Sequence, residues 1–489
     1  MGAMDTGVRR RRLRVRLALA ALLVLAAAHY GWNARHVAPL AGYDAGAHAA
    51  YILTVADEGR LPRPLEGWST FHPPFYYLIG AAAWRLLDGV GPVALMTGLR
   101  ALSALAILGC GVIAFAAVRR LGAGDGVALV TTALVLFVPV AQMAAVMIGN
   151  EPLAALLVAA TLLCLLALQE DPRRPGLAAF AGLLGGLALA TKYTAVLAAV
   201  TCAVPFLRLD LGRRGYRALA VCLVTGVAVA APVYVRNLAL EGTPVPMTRT
   251  LEPMRGVESA YVLGPRAVTD YLLVPPACLL RPSIIHLAEG PPRAGEWNRA
   301  MQSVWGLAYA SMWYDAFSHR VPIRFHQDGV RAGPLLALLG LVPTGLVLLG
   351  FAAALADLAQ RRGRSSDAPL TVLAALNGLA FVGYTWSAPA MVAAKASYLL
   401  PSLLPAAAFF ARGVRMLPRG AAAPALVLSA LAAVAAAVVF TTGVVFPPDD
   451  GPRFLRGWEI TGGYLPGARI EDAVRHVDPY LRRGAGRSP

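Results

Sequence analysis

Three sets of residues in this 489-residue chain have the types and spacing for chemistry. The first is Tyr43-Asp44-Ala45-Gly46-Ala47-His48-Ala49-Ala50-Tyr51, followed by Phe71-His72-Pro73-Pro74-Phe75-Tyr76-Tyr77. Asp44 and His48 are four apart, so on a helix they share one face, with Tyr51 on the same side. The same Asp is also a favoured helix N-cap, and capping alone would account for it. The second set is Gly149-Asn150-Glu151-Pro152, an acid and a proline at a helix start, which is also ordinary capping chemistry. The third is compositional. Among 44 Lys plus Arg residues only Lys192 and Lys395 are lysines. Each stands at the end of an apolar run, where an ammonium suits either a phosphate or a snorkelling anchor.

Apolar segments must position these groups. The chain is 57% hydrophobic and 15% charged, against about 25% charged in soluble domains. The sequence predicts eleven membrane-spanning helices, at 14–31, 95–118, 126–148, 152–169, 176–191, 193–208, 218–235, 334–356, 369–388, 396–412 and 422–446. The net charge of +17 does not indicate nucleic acid, because the arginines fall in short clusters between apolar runs. With the N-terminus inside, the short inner loops carry Arg119 and Arg120; Arg173 and Arg174; Arg208, Arg213, Arg214 and Arg217; Arg361, Arg362 and Arg364; and Arg412, Arg415 and Arg419. Every short loop then obeys the positive-inside rule. Arg9–Arg12 before an apolar stretch is read as the start of an uncleaved first span rather than as a leader.

This topology gives one polytopic membrane domain, 1–446, with outer loops at 32–94 and 237–333, and a short extracytoplasmic tail at 447–489. It places Asp44, Glu151, Lys192 and Lys395 on the same, outer, face. Phe75 to Leu87 is expected to be interfacial or re-entrant, with Tyr76, Tyr77 and Trp84 in the headgroup zone. Residues 296–317 are expected to form an amphipathic helix on the membrane surface. Four cysteines lie in apolar runs and only Cys278 in a long loop, so no disulfide framework is implied. No zinc-ligand spacing, P-loop or nucleophile elbow occurs. No carboxylate lies at the centre of a span, which disfavours a proton-coupled pump.

Taken in order, these motifs resemble the GT-C class of membrane glycosyltransferases, nearest the protein O-mannosyltransferases and the lipid A aminoarabinose transferases. The resemblance is carried by Tyr43-Asp44 to Tyr51, Gly59-Arg60-Leu61-Pro62, His72-Pro73-Pro74-Phe75-Tyr76-Tyr77, Asn150-Glu151-Pro152-Leu153, Thr191-Lys192-Tyr193-Thr194 and Lys395-Ala396-Ser397-Tyr398-Leu399-Leu400-Pro401, over most of residues 14–410. It implies an all-α GT-C-like bundle in the cell membrane, with interfacial helices in the first and fourth outer loops and an extracytoplasmic active site. It implies a polyprenyl-phosphate sugar donor and a lipid, polysaccharide or protein acceptor. Asp44 is then the candidate base and Glu151 its catalytic companion. Substrate-binding candidates are His48, Tyr51, His72, Lys192, Arg255, Arg266, Lys395 and Tyr398. No metal ligand is assigned, and a divalent metal stays open, since many relatives have an acidic pair where Asp44-Ala45 stands here. The competing expectation is a lipid or solute transporter or flippase of the envelope, which would line a mid-membrane path with polar groups. A third is an assembly partner with a decayed site.

Overall fold

The computed structural model describes residues 2–36, 42, 44–87, 89–90, 92–207, 212–247, 265–283, 299–314, 332–360 and 365–443. The described residues form helices and turns with no strand. All eleven apolar segments are helical, as α1 (Gly2–His36), α4 (Pro92–Arg120), α5 (Asp125–Phe137) with α6 (Pro139–Ala145), α7 (Glu151–Glu170), α8 (Pro175–Leu189), a broken stretch around α9 (Val196–Thr201), α10 (Gly212–Glu241), α12 (Ala332–Gln360), α13 (Ala368–Ser387), α14 (Leu403–Met416) and α15 (Arg419–Val438). The outer loops add α2 (Ala45–Glu58), α3 (Phe75–Leu86) and α11 (Val304–Trp313). This is a multi-pass membrane protein.

Length divides the eleven. Among the described residues seven helices are long and apolar enough to cross a membrane, and the pair α5 and α6, bent by 57°, makes an eighth if counted as one span. Pro175–Leu189 and Tyr193–Phe206 fall short, and the segment predicted at 396–412 opens as a 3-10 helix, Ala396–Ser402. The expected count of eleven full spans therefore does not follow from length. Prolines account for much of the difference. Pro139 has no N–H to continue α5, and the residue before it is driven to extended backbone; Val138 sits at φ −60, ψ 131. The Gln142 side-chain amide donates to the freed Phe137 carbonyl, so the break leaves that group satisfied. Pro205 lies in the 3-10 turn Val204–Phe206 and Pro401 in the 3-10 helix Ala396–Ser402.

Where helices touch closely, side chains are absent. A Cβ on Gly350 of α12 would collide with the Phe409 carbonyl oxygen, and one on Gly413 of α14 with the Leu346 carbonyl oxygen. In a membrane, where water drives no association between apolar helices, such close backbone approach is a main source of packing energy.

Arginines of α1, α4 and α14 gather at one end of the bundle. Arg11 and Arg119 both pair with Asp125, at 2.7 and 2.9 Å. Arg120 pairs with Glu170, Arg412 bridges Asp357 and Asp367, and Arg415 donates to the Leu121 carbonyl at 2.6 Å. At the opposite end α2 and α3 pack against the start of α4 around Tyr51, Tyr76, Tyr77, Trp84, Met96, Leu99 and Ile148. Tyr76, Tyr77 and Trp84 are thus buried in protein rather than set in a headgroup zone. α3, with 12 residues, is too short to cross. The helix expected on the membrane surface at 296–317 is also an interior element. Within it α11 buries Val304, Gly306, Leu307, Ala308, Ala310, Ser311 and Trp313, because the Tyr309 hydroxyl and the Trp313 indole dock on α12 at the Ala337 carbonyl (2.5 Å) and the Thr344 hydroxyl (3.0 Å).

Candidate active site

The end of the bundle opposite the arginine turns carries the candidate site. Asp44 precedes α2 in the N-cap position but does not cap it. Its side chain makes no cap hydrogen bond, and its backbone is left-handed, φ 54, ψ 17. Among the described residues it is the one non-glycine with positive φ. Asp tolerates this region better than most residues, yet the conformation costs on the order of 1 kcal/mol. The carboxylate stays exposed and accepts a hydrogen bond from the Trp68 indole, Nε1 to Oδ1 3.0 Å. The capping explanation available from sequence is therefore not the one the structure uses.

Behind Asp44 lies a wall of rings. His48 is buried one helical turn on, its Nδ1 2.7 Å from the Tyr77 hydroxyl. Its ring stacks on His72 at 5.6 Å, and Tyr77 stacks on Tyr51 at 3.7 Å. Burial pulls both imidazoles below the ordinary histidine value, His72 strongly so; Glu151 and Asp44 partly oppose this at His48, and at His72 the nearby His48 and Lys192 reinforce it. Both rings are neutral near pH 7, and each keeps one nitrogen as an acceptor. Tyr76 fixes the next turn, its hydroxyl accepting from the Gly149 amide at 3.0 Å.

Glu151 begins α7 and is half-buried. Its carboxylate accepts from the Lys192 ammonium at 2.7 Å, which joins the start of α7 to the end of α8. Asn150 braces the same junction, donating to the Thr191 carbonyl at 3.2 Å. The two lysines of the chain converge on one ring: Lys192 Nζ lies 5.7 Å and Lys395 Nζ 5.3 Å from the Tyr398 centroid. Both are buried, at 7% and 8% exposure. Such cation–π contacts hold a charge without cancelling it.

The structure thus gathers Asp44, His48, Tyr51, His72, Glu151, Lys192, Lys395 and Tyr398 at one end. It does not gather Arg266, whose guanidinium donates to the carbonyls of Gln302 (2.6 Å) and Ala390 (3.3 Å). A buried guanidinium engaged with backbone carbonyls is built into the structure rather than offered to a ligand. Arg255 lies outside the described residues, as does the tail at 447–489. Sequence reasoning missed Trp68, which lies in a turn-rich stretch with no period to mark it. Among the described residues no three His, Cys, Asp or Glu side chains group as a metal site. Glu151 is occupied by Lys192, and Ala45 supplies no second carboxylate beside Asp44, so no step below passes through a metal.

The bundle of broken and unbroken helices, with a carboxylate, two ammoniums and an aromatic wall collected at one end, has the fold of the GT-C class of membrane glycosyltransferases. Residues 72–236 match the family described as Dolichyl-phosphate-mannose-protein mannosyltransferase. Among solved structures, the oligosaccharyltransferase of Archaeoglobus fulgidus matches with TM-scores of 0.50 in its apo form and 0.53 in complex with Zn and sulfate. Identities are 12% and 13%, covering 94% and 93% of this chain and 60% and 57% of that one. ArnT from Cupriavidus metallidurans in the apo state matches with a TM-score of 0.42 and 18% identity, over 97% of this chain and 85% of that one. The search of curated proteins gives no significant match.

Proposed function

We propose that this chain transfers a sugar from a polyprenyl-phosphate donor to an extracytoplasmic acceptor, by inverting displacement with Asp44 as general base. The observation that carries the proposal is Asp44 itself: an exposed carboxylate in a costly backbone conformation, aimed by Trp68 and unused as a cap. Uncommon backbone geometry that the surroundings hold in place is a mark of functional positions. The family description names a dolichyl-phosphate sugar donor, and the paired lysines suit its phosphate.

In this mechanism Asp44 takes the proton of the acceptor hydroxyl. The hydroxyl oxygen attacks the anomeric carbon, and the bond from that carbon to the phosphate oxygen breaks, its electron pair leaving with the phosphate. One base suffices because phosphate is a good leaving group. Lys395 and Lys192 balance the charge that collects on the departing phosphate. Glu151 holds Lys192 in place, and the ring of Tyr398 sets the spacing of the two ammoniums. The neutral His48 and His72 add no charge to the site.

Asp44→Asn is the test. Asparagine keeps the size of aspartate and its tolerance for left-handed backbone, so folding should be preserved. It cannot take a proton, so transfer should fall about a hundred- to ten-thousand-fold. Transfer from polyprenyl-phosphate sugars, starting with mannose, is measured with purified wild type and variant in detergent. Near-normal transfer by the variant removes Asp44 as the base. Lys395→Ala should instead weaken binding of the lipid donor more than it slows turnover of bound donor, because a phosphate contact acts in the ground state too.

A further inference from the structure

Lys395 sits in a poor place to hold a group still. Its backbone is extended, φ −72, ψ 133, between the 3-10 turn Met391–Ala394 and the 3-10 helix Ala396–Ser402. No α-helical ladder fixes it. Two long-range hydrogen bonds do so instead, one on each side. Before it, the Ala390 carbonyl accepts from Arg266 at 3.3 Å, while the same guanidinium donates to the Gln302 carbonyl at 2.6 Å. After it, the Ala396 amide donates to the Ser311 hydroxyl at 2.9 Å. Ser311 is fully buried, and its own hydroxyl donates to the Ala308 carbonyl. Arg266 is 7% exposed, and its Nε is buried without a partner. Burying a guanidinium with one donor unmet is costly, and its fork can bridge two carbonyls in a fixed geometry that a lysine does not reproduce.

The groups that make these bonds are anchored in turn. Tyr309 and Trp313 tie α11 to α12, and the Tyr271 hydroxyl lies 3.0 Å from the Thr385 hydroxyl of α13. We infer that residues 265–283 and 299–314 form a positioning scaffold for Lys395, acting through Arg266 and Ser311. Arg266 and Ser311 are positioning residues: they touch the chain on either side of the ammonium, not the ligand. The inference rests on the proposed role of Lys395 at the donor phosphate.

The composition supplies a direct readout. With two lysines in the chain, acylation by a succinimidyl ester followed by peptide mass spectrometry compares Lys395 with Lys192 in one molecule. Arg266→Lys, Ser311→Ala and Ser311→Thr are prepared in the full-length protein, alone and with Lys395→Ala. Affinity for undecaprenyl phosphate is then titrated in nanodiscs. Arg266→Lys and Ser311→Ala should each weaken binding about fivefold, the weight of one hydrogen bond. Ser311→Thr, which keeps the hydroxyl, should restore it. In the Lys395→Ala background the two substitutions should add nothing, since their effect passes through the missing ammonium. Acylation of Lys395 relative to Lys192 should rise in both. Unchanged affinity, or an equal loss with Lys395 absent, overturns the scaffold. If Lys395→Ala alone leaves binding unchanged, the donor-phosphate reading falls; the labelling ratio then decides the scaffold by itself, and an unchanged ratio overturns it.

Discussion

At the scale of single residues, the site separates groups that keep their charge from groups that have lost it. His48 is buried and His72 half-buried, both with values below the ordinary 6.5 of histidine. In the unfolded chain they bind protons as pH drops through about 6.5; in the folded chain they do so only lower. The unfolded state therefore holds more protons across that window, and stability falls as pH drops from about 7 toward 5, by at most about 1.4 kcal/mol per proton per pH unit. Thermal unfolding of wild type against His72→Gln checks this. The wild-type midpoint should drop on acidification and the variant's pH slope should be shallower; parallel slopes would mean that His72 ionises as freely folded as unfolded. The residues that sequence reasoning found here were those with unusual chemistry or unusual scarcity: Asp44, Glu151 and the two lysines. It misplaced Arg266, because charge alone does not say whether a guanidinium meets a phosphate or a carbonyl. It passed over Trp68 and Ser311, whose roles depend on partners 24 and 85 residues away and leave no local pattern.

At the scale of elements, apolar runs marked the long helices, and prolines fell at several of the places where a helix is broken. Tyr76, Tyr77 and Trp84 were misread for a physical reason. A half-aromatic segment beside a membrane has the same composition whether it lies in headgroups or under a neighbouring helix, and only the position of α2 decides. α11 was misread in the same way, since α12 covers the faces that looked free for lipid. The crossing of α12 and α14 has no room for a methyl group on either Gly350 or Gly413. Gly350→Ala should therefore destabilise the protein by about 1–3 kcal/mol through backbone displacement. Gly345→Ala, with open space around it on the same helix, should be neutral or slightly stabilising by removing a helical glycine. Detergent thermal-shift measurements of the two variants compare them directly; equal midpoints would mean that the crossing yields easily.

At the scale of the whole molecule, Arg11, Arg119, Arg120 and Arg412, far apart in sequence, share one end of the bundle, where Asp125, Glu170, Asp357 and Asp367 meet them. Which side of the membrane that end faces is a separate prediction. Reporter fusions at Asp171 and Glu289 should report opposite compartments, with Asp171 cytoplasmic. The same compartment for both would show that the segments between them cross in another pattern.

The uneven distribution of charge also bears on how the chain enters a membrane. Arg9, Arg10, Arg11, Arg12, Arg14 and Arg16 crowd the start of α1, and two acceptors of the arginine end, Asp125 and Glu170, belong to helices made later. Until those helices arrive, the first segment has mainly the electric field and the lipid headgroups to set its direction. A potential of 100 mV, negative inside, opposes the outward passage of each elementary charge by about 2.3 kcal/mol. Six such charges would favour the N-terminus-inside arrangement that the sequence predicts while the membrane is energised. The ion pair of Arg11 with Asp125 would then hold a direction already chosen electrophoretically.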